Sequence, residues 1–435
     1  MTEAPGRVLS TSLTAGSQPL VVRGEGIWLE LDDGRRVIDG TNTAAPLGHA
    51  HPEIVEAVRA AATAPAINEG VRWGGRDAAA EALLDTALAG EDWAGAVRFF
   101  ISAGEANDAT LSLAQALSGR PALATRERAY HGGVGLSREL TVQPHWHGGL
   151  AYRDRTLAPP RLSSVRELPA PSGARIAGPE PDPEADRAAL ADAGPGLADV
   201  AAVLIDYSQG GIYHQPYHQD QLAELAREAG ALWIADETVT GLGRVGRWFQ
   251  FQAADSRPDI VTMGKGLAAG GAPAGAAVLS RELLERMEEA GWQSYSSYRA
   301  HPVEVAAIEA HIRVSARDGI WQRALDFDGL LAREMERLAD AHPGISRIDG
   351  RGLHWTIEFH GPSWRDWEGH DPEPLASKVA ARVLEAGVMI ATSGEQTSLF
   401  IAPPLIVEEA ELMKILEALD HGLALADAEV EGVTG

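Results

Sequence analysis

The sequence has no cysteine at all and only three lysines, Lys265, Lys378 and Lys414. The absence of cysteine excludes disulfides, thiolate zinc sites, iron–sulfur clusters and cysteine nucleophiles, and no metal site is predicted. No apolar run is long enough to span a membrane, and the first residues lack the basic start and apolar stretch of a secretion signal. The sequence therefore predicts a soluble, cytoplasmic protein.

Positive charge is also scarce, because 62 Asp and Glu residues outnumber 37 Lys and Arg residues and give a formal net charge of −25. A field of this sign repels nucleic-acid phosphates and anionic lipid surfaces, so neither nucleic acid nor a membrane is predicted as a partner. The 435 residues, of which 45% are apolar, suffice for a globular chain of two or three domains with a large core.

Short apolar runs alternate with helical periods between about residues 75 and 300. The runs are VRFF (97–100), PALAT (121–125), VAAVLID (200–206), ALWIAD (231–236), DIVTM (259–263) and GAAVLS (275–280). Such alternation is typical of an α/β domain whose mainly parallel sheet is covered by helices on both faces.

The segments that flank this region have other patterns. Residues 20–40 alternate around a DDG turn, which predicts an antiparallel hairpin, and a helix is predicted from Pro52. The remaining predicted elements are helices at 183–193, from 303, at 373–387 and at 407–424, and a strand at 353–359. The predicted organisation is a large domain at 61–305 and a smaller α+β domain formed by 1–60 and 306–435.

Lys265 lies directly after a predicted strand, in the glycine-rich sequence MGKGLAAGGAPAG. Lys378 and Lys414 instead lie in helical patterns among charged residues, where lysine is ordinarily solvated. A lysine at a strand end without a nearby counter-charge can have a lowered pKa and form a Schiff base with a carbonyl. It can also simply reach solvent beside a turn, and these residues alone leave both interpretations open.

Asp236 ends the predicted strand ALWIAD, so its carboxylate is expected at the carboxyl edge of the sheet, where open α/β folds bind ligands. There it can hold the ring nitrogen of a pyridine cofactor in its protonated form, or it can cap the next turn. The following sequence GLGRVG (241–246) fits G-x-G-x-x-G, but no small-residue helix follows it. A dinucleotide-binding fold is therefore not predicted.

Two loops add small and aromatic residues. Ser102, Ala103 and Gly104 connect a predicted strand to a helical pattern, and the exposed backbone N–H groups of such a helix start suit a phosphate. An ordinary serine cap is the alternative. Tyr130 and His131 precede two glycines, which suits a ring stacked on a planar ligand or plain loop packing.

Together and in this order, the segments resemble the class III, or omega-type, aminotransferases of pyridoxal phosphate fold type I. The similar stretches are LGHAHPEIVEAV (47–58), SAGEAN (102–107), YHG (130–132), ADETVTGLGRVG (235–246), PDIVTMGKGLAAGGAPAGA (258–276), YRAHPVEVAA (298–307), RGLHWTIEF (351–359) and APPLIVEEAEL (402–412). The resemblance implies a fold type I transferase, with a large, mainly parallel sheet domain and a smaller α+β domain, that uses pyridoxal 5′-phosphate.

The resemblance also implies roles for individual residues. Lys265 is similar to the lysine that forms the Schiff base and then acts as acid and base, and Asp236 is similar to the partner of the pyridine nitrogen. Tyr130 is similar to the catalytic aromatic residue that lies over the cofactor ring. The other cofactor-binding positions that it implies are Ser102, Ala103, Gly104, His131, Thr238 and Ser297.

Ser297 corresponds to the family's Thr or Ser that reaches the phosphate of the neighbouring subunit, so the resemblance implies a homodimer with active sites at its interface. The implied reaction moves an amino group between an amine or amino acid and a carbonyl compound. Aminomutase chemistry, as in the glutamate-1-semialdehyde aminomutase branch, and racemase, decarboxylase or carbon–carbon bond chemistry in specialised metabolism are alternatives on the same fold. A non-catalytic scaffold is a third possibility, but it gives no reason to retain Lys265.

The chain departs from the family pattern at three positions. Val239 occupies the place of a common Gln near the cofactor hydroxyl group. Phe400 occupies the place of the Arg that clasps a substrate carboxylate, and Gly211 occupies the place of its Glu partner. The loss of both charged partners is consistent with a less anionic or bulkier substrate. Candidate pocket residues by position alone are Trp28, Arg72, Trp73, His145, Trp146 and Phe400.

Overall fold

The structure, a computed structural model, describes residues 19–65, 67–143, 150–151, 156–157, 159–287, 290–361 and 374–434. Its strands are β1 (Val21–Glu25), β2 (Trp28–Leu31), β3 (Arg36–Asp39), β4 (Ala94–Phe100), β5 (Ala122–Arg126), β6 (Leu150–Ala151), β7 (Thr156–Leu157), β8 (Val165–Leu168), β9 (Val200–Asp206), β10 (Leu232–Asp236), β11 (Ile260–Met263), β12 (Gly275–Ser280), β13 (Ile345–Arg351), β14 (His354–Phe359), β15 (Val388–Met389), β16 (Ala391–Thr392) and β17 (Ser398–Ile401).

The helices are α1 (Pro52–Ala61), α2 (Gly74–Ala82), α3 (Ala103–Ser118), α4 (Gly135–Glu139), α5 (Pro183–Ala193), α6 (Pro216–Ala229), α7 (Arg281–Arg286), α8 (Pro302–Arg317), α9 (Ile320–Ala341), α10 (Leu375–Glu385) and α11 (Glu409–Thr434). The helices predicted at 183–193, from 303 and at 373–387 match α5, α8 and α10 within two residues. The helix predicted at 407–424 extends ten residues further, to Thr434.

The large sheet has the strand order β4-β12-β11-β10-β9-β5-β8. Within it, β12 runs antiparallel to both neighbours and the other strands run parallel to one another. The strands β9 to β12 are buried along their whole length, which explains their continuous apolar runs. Alternate residues serve two separate cores, with Leu204 and Ile234 on one face and Val203 and Trp233 on the other. The predicted mainly parallel sheet, covered on both faces, is confirmed.

The smaller region joins the two ends of the chain. Strand β15 pairs in parallel with β3 and completes a four-stranded sheet in the order β1-β2-β3-β15. A second sheet, β13-β14-β17-β16, is antiparallel and shares its core with α9, α10 and α11. Helix α8 packs against both cores, because Val305 and Ile312 lie in the first core and Ala310 lies in the second. The domain boundaries at 60 and 305 stay predictions.

The GLGRVG loop (241–246) packs the large-sheet region against the smaller region. The Gly243 and Gly246 residues have φ angles of +100° and +81°, which glycine adopts at little cost. A Cβ atom on either would lie 3.2 Å or less from α9, at Trp321 or Leu325. The buried Arg244 guanidinium donates to the backbone carbonyls of Leu353, Pro403 and Asn42. The glycine spacing of this loop therefore has a packing reason.

A second contact between the two regions is the ion pair of Arg128 with two glutamates of the smaller region. Its guanidinium lies 3.0 Å from Glu358 Oε1 and 3.1 Å from Glu395 Oε1, and the Glu395 side chain is fully buried. Replacement of Arg128 by Ala leaves a buried carboxylate without this partner. We expect Arg128→Ala to lower the free energy of unfolding by about 3 kcal/mol, measured by denaturant titration.

The matched control for this prediction is Arg166→Ala. Arg166 pairs with Asp199 at 2.9 Å, but both side chains are more than a third exposed. Solvent screening limits such a pair to less than about 1 kcal/mol. Equal losses in the two variants would contradict the assignment of Arg128 as a buried contact between the two regions.

Candidate active site

A cavity of about 410 Å³ lies at the carboxyl edge of the large sheet. Eight of the nine residues predicted to catalyse the reaction or bind the cofactor line it, namely Ser102, Ala103, Gly104, Tyr130, His131, Asp236, Thr238 and Lys265. Its further lining residues are Ala44, Ile101, Gly132, Asp206, Tyr207, Ser208, Gln209, Val239, Thr240, Gly270, Ala272, Pro273 and Ala274. The fold thus brings together residues that lie more than 160 positions apart in the chain.

Lys265 follows β11 and begins a single 3₁₀ turn, Lys265–Ala268. Its side chain is exposed to the cavity that it lines. Desolvation lowers the pKa of Lys265, and the charges of Asp236 and Asp206 oppose that shift only in part. The preceding Gly264 is required by space, because a Cβ atom there would lie 2.7 Å from Ala103 Cβ. Lys265 is therefore held beside the start of α3.

Asp236 ends β10 and is 3% exposed. Its Oδ2 atom accepts hydrogen bonds from Asn107 Nδ2 at 2.8 Å and from His131 Nδ1 at 2.9 Å, and its Oδ1 atom accepts from the Thr238 amide. Burial alone would raise the pKa of Asp236, but the hydrogen bonds and the nearby His131 outweigh it and hold the pKa below its usual value. Asp236 is consequently ionised at neutral pH.

His131 is oriented by contacts on both ring nitrogens. Because an ionised Asp236 can only accept, His131 Nδ1 carries a proton, and Nε2 shares a hydrogen bond of 2.8 Å with the Thr125 hydroxyl. The next residue, Gly132, has φ +137°, and a Cβ atom there would lie 2.9 Å from Gly104 Cα. The YHGG loop and the start of α3 therefore pack backbone against backbone at one side of the cavity.

Ser102 is the N-cap of α3, and its hydroxyl accepts from the Glu105 amide at 3.2 Å. The first N–H groups of a helix have no partner within the helix, and those of Ala103 and Gly104 lie at the cavity. Ser102 can therefore cap α3 while the same helix start binds an anion. A helix start of this kind favours an anion through its N–H groups and its dipole.

Sequence reasoning missed Asn107, which donates to both Asp236 and the His131 carbonyl and accepts from the Thr262 hydroxyl. The sequence signal for Asn107 was a polar residue at a position on the buried face of α3. It also missed Asp206, which ends β9 and is the register neighbour of Asp236. The sequence signal for Asp206 was that two adjacent predicted strands both end in Asp. Asp206 is paired with the fully buried Arg126, whereas Asp236 has no Arg partner among the described residues.

Several predicted residues lie elsewhere. Ser297 is exposed and does not line the cavity. The Trp28 indole donates to Glu411, and Arg72 is an exposed residue near Trp73, which precedes α2. Trp28, Arg72 and Trp73 do not line the cavity. Phe400 lies on β17 and does not line the cavity. His145 and Trp146 lie outside the described residues.

Glu237 is a buried acid directly behind Asp236. Its two oxygens accept from the Phe251 amide and the Thr240 hydroxyl, and burial raises the pKa of Glu237 from 4.5 to about 7. Between these two pH values the unfolded chain loses the proton while the folded chain keeps it, so stability falls as the pH rises. We expect Glu237→Gln to reduce that fall by as much as about 3 kcal/mol, measured by denaturant titration from pH 4.5 to 7.5.

The comparison for Glu237→Gln is Glu285→Gln, which changes an exposed residue of α7. This control should follow the pH profile of the unmodified protein. A pH profile of Glu237→Gln that coincides with that of the control would show that Glu237 does not titrate in this range.

The profile of the family Aminotransferase class-III matches residues 13–423 of this chain. Acetylornithine aminotransferase from Mycobacterium tuberculosis is 31% identical over 421 residues, which cover 93% of this chain and 92% of that protein. An S-selective transaminase from Arthrobacter sp. has a TM-score of 0.87 at 28% identity, covering 97% and 96% of the two chains. A phospholyase from Arthrobacter, in complex with phosphoethanolamine, has a TM-score of 0.76 at 25% identity, covering 93% and 94%.

The chain therefore belongs to the class III aminotransferases and has the fold of pyridoxal-phosphate transferases of type I. It is a pyridoxal-phosphate-dependent aminotransferase, whose substrates are small amines or amino acids and carbonyl compounds. Over the described residues, no helix has the length and apolar character needed to cross a lipid bilayer. The similarity to the aminomutase branch is not confirmed.

The cavity fits this cofactor. It offers an amine for the aldehyde, an ionised carboxylate for the ring nitrogen and N–H groups at a helix start for the phosphate. In addition, the Thr238 hydroxyl lies at the cavity and is buried without a hydrogen-bond partner among the described residues. A buried hydroxyl of this kind is costly unless a bound group satisfies it.

Proposed function

We propose that Lys265 is the catalytic residue that attaches pyridoxal phosphate through its aldehyde, and that Asp236 binds the ring nitrogen. The observation that carries this proposal is that a lysine with a lowered pKa and an ionised, buried aspartate face the same cavity. The backbone amides of Ala103 and Gly104, next to Ser102, hold the phosphate.

The remaining lining residues orient the ring. Tyr130 and Thr238 both line the cavity, where Tyr130 would cover the ring and Thr238 would lie behind it. His131 fixes the Asp236 carboxylate through its Nδ1 proton.

The cofactor supplies a protonated ring that accepts the electron pair released at the substrate α-carbon. The Asp236 carboxylate favours the proton on the ring nitrogen, because an adjacent negative charge stabilises the cation. The desolvated surroundings of Lys265 Nζ disfavour its ammonium form, which suits this nitrogen to act as a base. With cofactor and substrate bound, Lys265 Nζ would take the proton from the substrate α-carbon and return it.

The proposed assembly is a homodimer in which Ser297 approaches the phosphate of the partner subunit. Ser297 is exposed, and the neighbouring Tyr295 and Tyr298 side chains are 65% and 69% exposed. Ile101, which lines the cavity, and Val134, which follows the lining residue Gly132 by two positions, are also exposed apolar residues. Exposed apolar groups at a cavity mouth favour a protein partner there. Cytoplasmic location and a place in specialised metabolism stay predictions.

The test of the proposed function is the first half-reaction alone. Purified holoenzyme is mixed with a panel of amines and amino acids, and the near-visible absorbance of the cofactor is followed while the carbonyl product is quantified. We expect one carbonyl product per cofactor converted to its amine form. If no donor converts the cofactor, the proposed function is wrong.

Lyase chemistry is a second candidate, because the similarity to the Arthrobacter phospholyase covers nearly the whole of both chains. A lyase would convert one substrate and water into a carbonyl compound, ammonia and an anion such as phosphate, and would leave the cofactor in its aldehyde form. Turnover of phosphoethanolamine without any carbonyl co-substrate would favour this candidate over transamination.

A further inference from the structure

The proposed phosphate site takes little positive charge from the residues that line the cavity. Within the described part of the chain, Lys265 is the single Lys or Arg of that lining, and in the proposed function it is attached to the aldehyde. The phosphate therefore depends on the N–H groups of Ala103 and Gly104 and on the dipole of α3. A dianion at such a helix start is sensitive to acidic side chains in the first turn.

Glu105 is the acidic residue of that first turn. It directly follows Gly104, and its Oε2 atom accepts a hydrogen bond from the Ile101 amide at 2.9 Å, so the carboxylate lies against the turn that leads into α3. Ile101 itself lines the cavity. The helix dipole favours an anion at position 105, but that anion repels a phosphate held by the preceding N–H groups. The site suits a dianion better if a cation compensates Glu105.

Arg299 supplies such a cation from a position 194 residues further along the chain. Its Nε and Nη2 atoms lie 3.0 and 2.9 Å from Glu105 Oε1. The Arg299 side chain is only 5% exposed, and its Cζ atom lies 4.5 Å from the centre of the Phe100 ring. Because water has little access to this guanidinium, solvent screens the pair less than it screens a surface ion pair.

The ion pairs around Arg299 are balanced in charge. Glu69 lies 3.6 Å from Arg299 and 3.3 Å from Arg98, so the network contains two arginines and two glutamates. Glu304 is a further acid near Glu105, but burial raises the pKa of Glu304 to about 8, which leaves it mostly uncharged at neutral pH. Removal of Arg299 would therefore leave an excess negative charge beside the start of α3.

Arg299 also fixes the segment in which Ser297 lies. Its Nη1 atom donates to the Ser294 carbonyl at 2.9 Å and contacts the Ser294 hydroxyl at 3.1 Å. One guanidinium thus joins residues 294–299 to the turn at 101–105. Loss of Arg299 has two separable consequences, which are release of this segment and an uncompensated charge on Glu105.

We propose that Arg299 is a positioning residue for the cofactor phosphate, because it neutralises Glu105 and thereby makes the start of α3 suitable for a dianion. The inference rests on the proposed function, in which this helix start holds the phosphate. It has a selective consequence. Without Arg299, pyridoxal phosphate should lose affinity, whereas pyridoxal, which has no phosphate, should not.

The test titrates the full chain, freed of bound cofactor, with pyridoxal phosphate and with pyridoxal, and follows the near-visible absorbance of the bound aldehyde. The ratio of the two dissociation constants measures the preference for the phosphate. We expect Arg299→Met to lower this preference about tenfold through weaker binding of pyridoxal phosphate. An unchanged ratio would overturn the inference and leave the proposed function intact. If the unmodified protein bound neither aldehyde, the proposed function would be wrong as well.

The double variant Glu105→Gln with Arg299→Met separates charge from anchoring. The amide oxygen of glutamine can still accept from the Ile101 amide, but the side chain has no charge to repel a phosphate. We expect the double variant to recover the phosphate preference to within about threefold of the unmodified protein. A double variant as impaired as Arg299→Met would show that Arg299 acts only by anchoring its segment, and the inference would be wrong.

Arg98→Met is the matched control. Arg98 donates to the Trp292 and Ser294 carbonyls, and within the described residues it forms no ion pair with Glu105. This variant should keep the phosphate preference within about threefold, and a loss equal to that of Arg299→Met would contradict the role of the Glu105 contact. Melting temperatures establish that each variant is folded. If Arg299→Met does not fold, Arg299→Gln replaces it with the same expected result.

Discussion

Replacement of Lys265 by Ala is expected to lower kcat by about 10⁴-fold or more. The alanine methyl group can neither attach the cofactor nor carry the proton, so both proposed tasks are lost at once. The measurement is single-turnover conversion of the cofactor with the best donor, together with borohydride reduction and peptide mapping. The mapped label should fall on Lys265 in the unmodified protein and be absent from the variant.

The chain offers a matched control in Lys414→Ala, which changes an exposed lysine outside the cavity. We expect this variant to retain the unmodified rate and the label at position 265. The Lys265→Ala protein should keep its melting temperature within a few degrees, because the cavity already surrounds this side chain with space. A Lys265→Ala variant with the rate of the Lys414→Ala control would end the proposed mechanism.

Replacement of Asp236 by Asn is the prediction with the next largest effect. The amide keeps the shape of the side chain but has no charge to favour a protonated ring nitrogen, so the electron pair at the substrate α-carbon loses its acceptor. We expect kcat to fall by roughly 10²–10³-fold, as when one electrostatic partner of a transition state is removed. The expected KM for the donor changes much less than kcat.

Glu237→Gln is the control for Asp236→Asn, because it neutralises the adjacent buried acid, which does not line the cavity. Its kcat is expected to stay within about threefold of the unmodified value. If the two replacements lowered kcat equally, the effect would be a general one of buried charge and Asp236 would lose its assigned contact with the ring.

The residues around Lys265 and Asp236 illustrate how much of the site is visible in the sequence. Both follow continuous apolar runs, and the carboxyl ends of neighbouring parallel strands meet at one edge, so their proximity could be predicted. The small residues at 102–104 could also be predicted to lie at this edge, because they connect a strand to a helix. These features depend on local pattern and on one general property of parallel sheets.

Other contacts could not be predicted because they depend on how separate elements pack. Asn107 reaches Asp236 only because α3 lies across the strand ends with that face inward. The pairing of Arg128 with Glu395 joins residues 267 positions apart through the seating of the smaller region. No periodicity or motif encodes such a distance.

Sequence alone predicted the groups that carry the proposed chemistry, because a lysine among glycines, an aspartate at a strand end and a helix start with small residues are local features. Tertiary structure decided which groups surround that chemistry. Gly211 and Phe400 are distant in the chain, and only the packing of β14 and β17 beside the segment around Gly211 brings both residues to Thr356. The physical reason is that specificity depends on packing across elements, whereas reactivity depends on the residue and its immediate backbone.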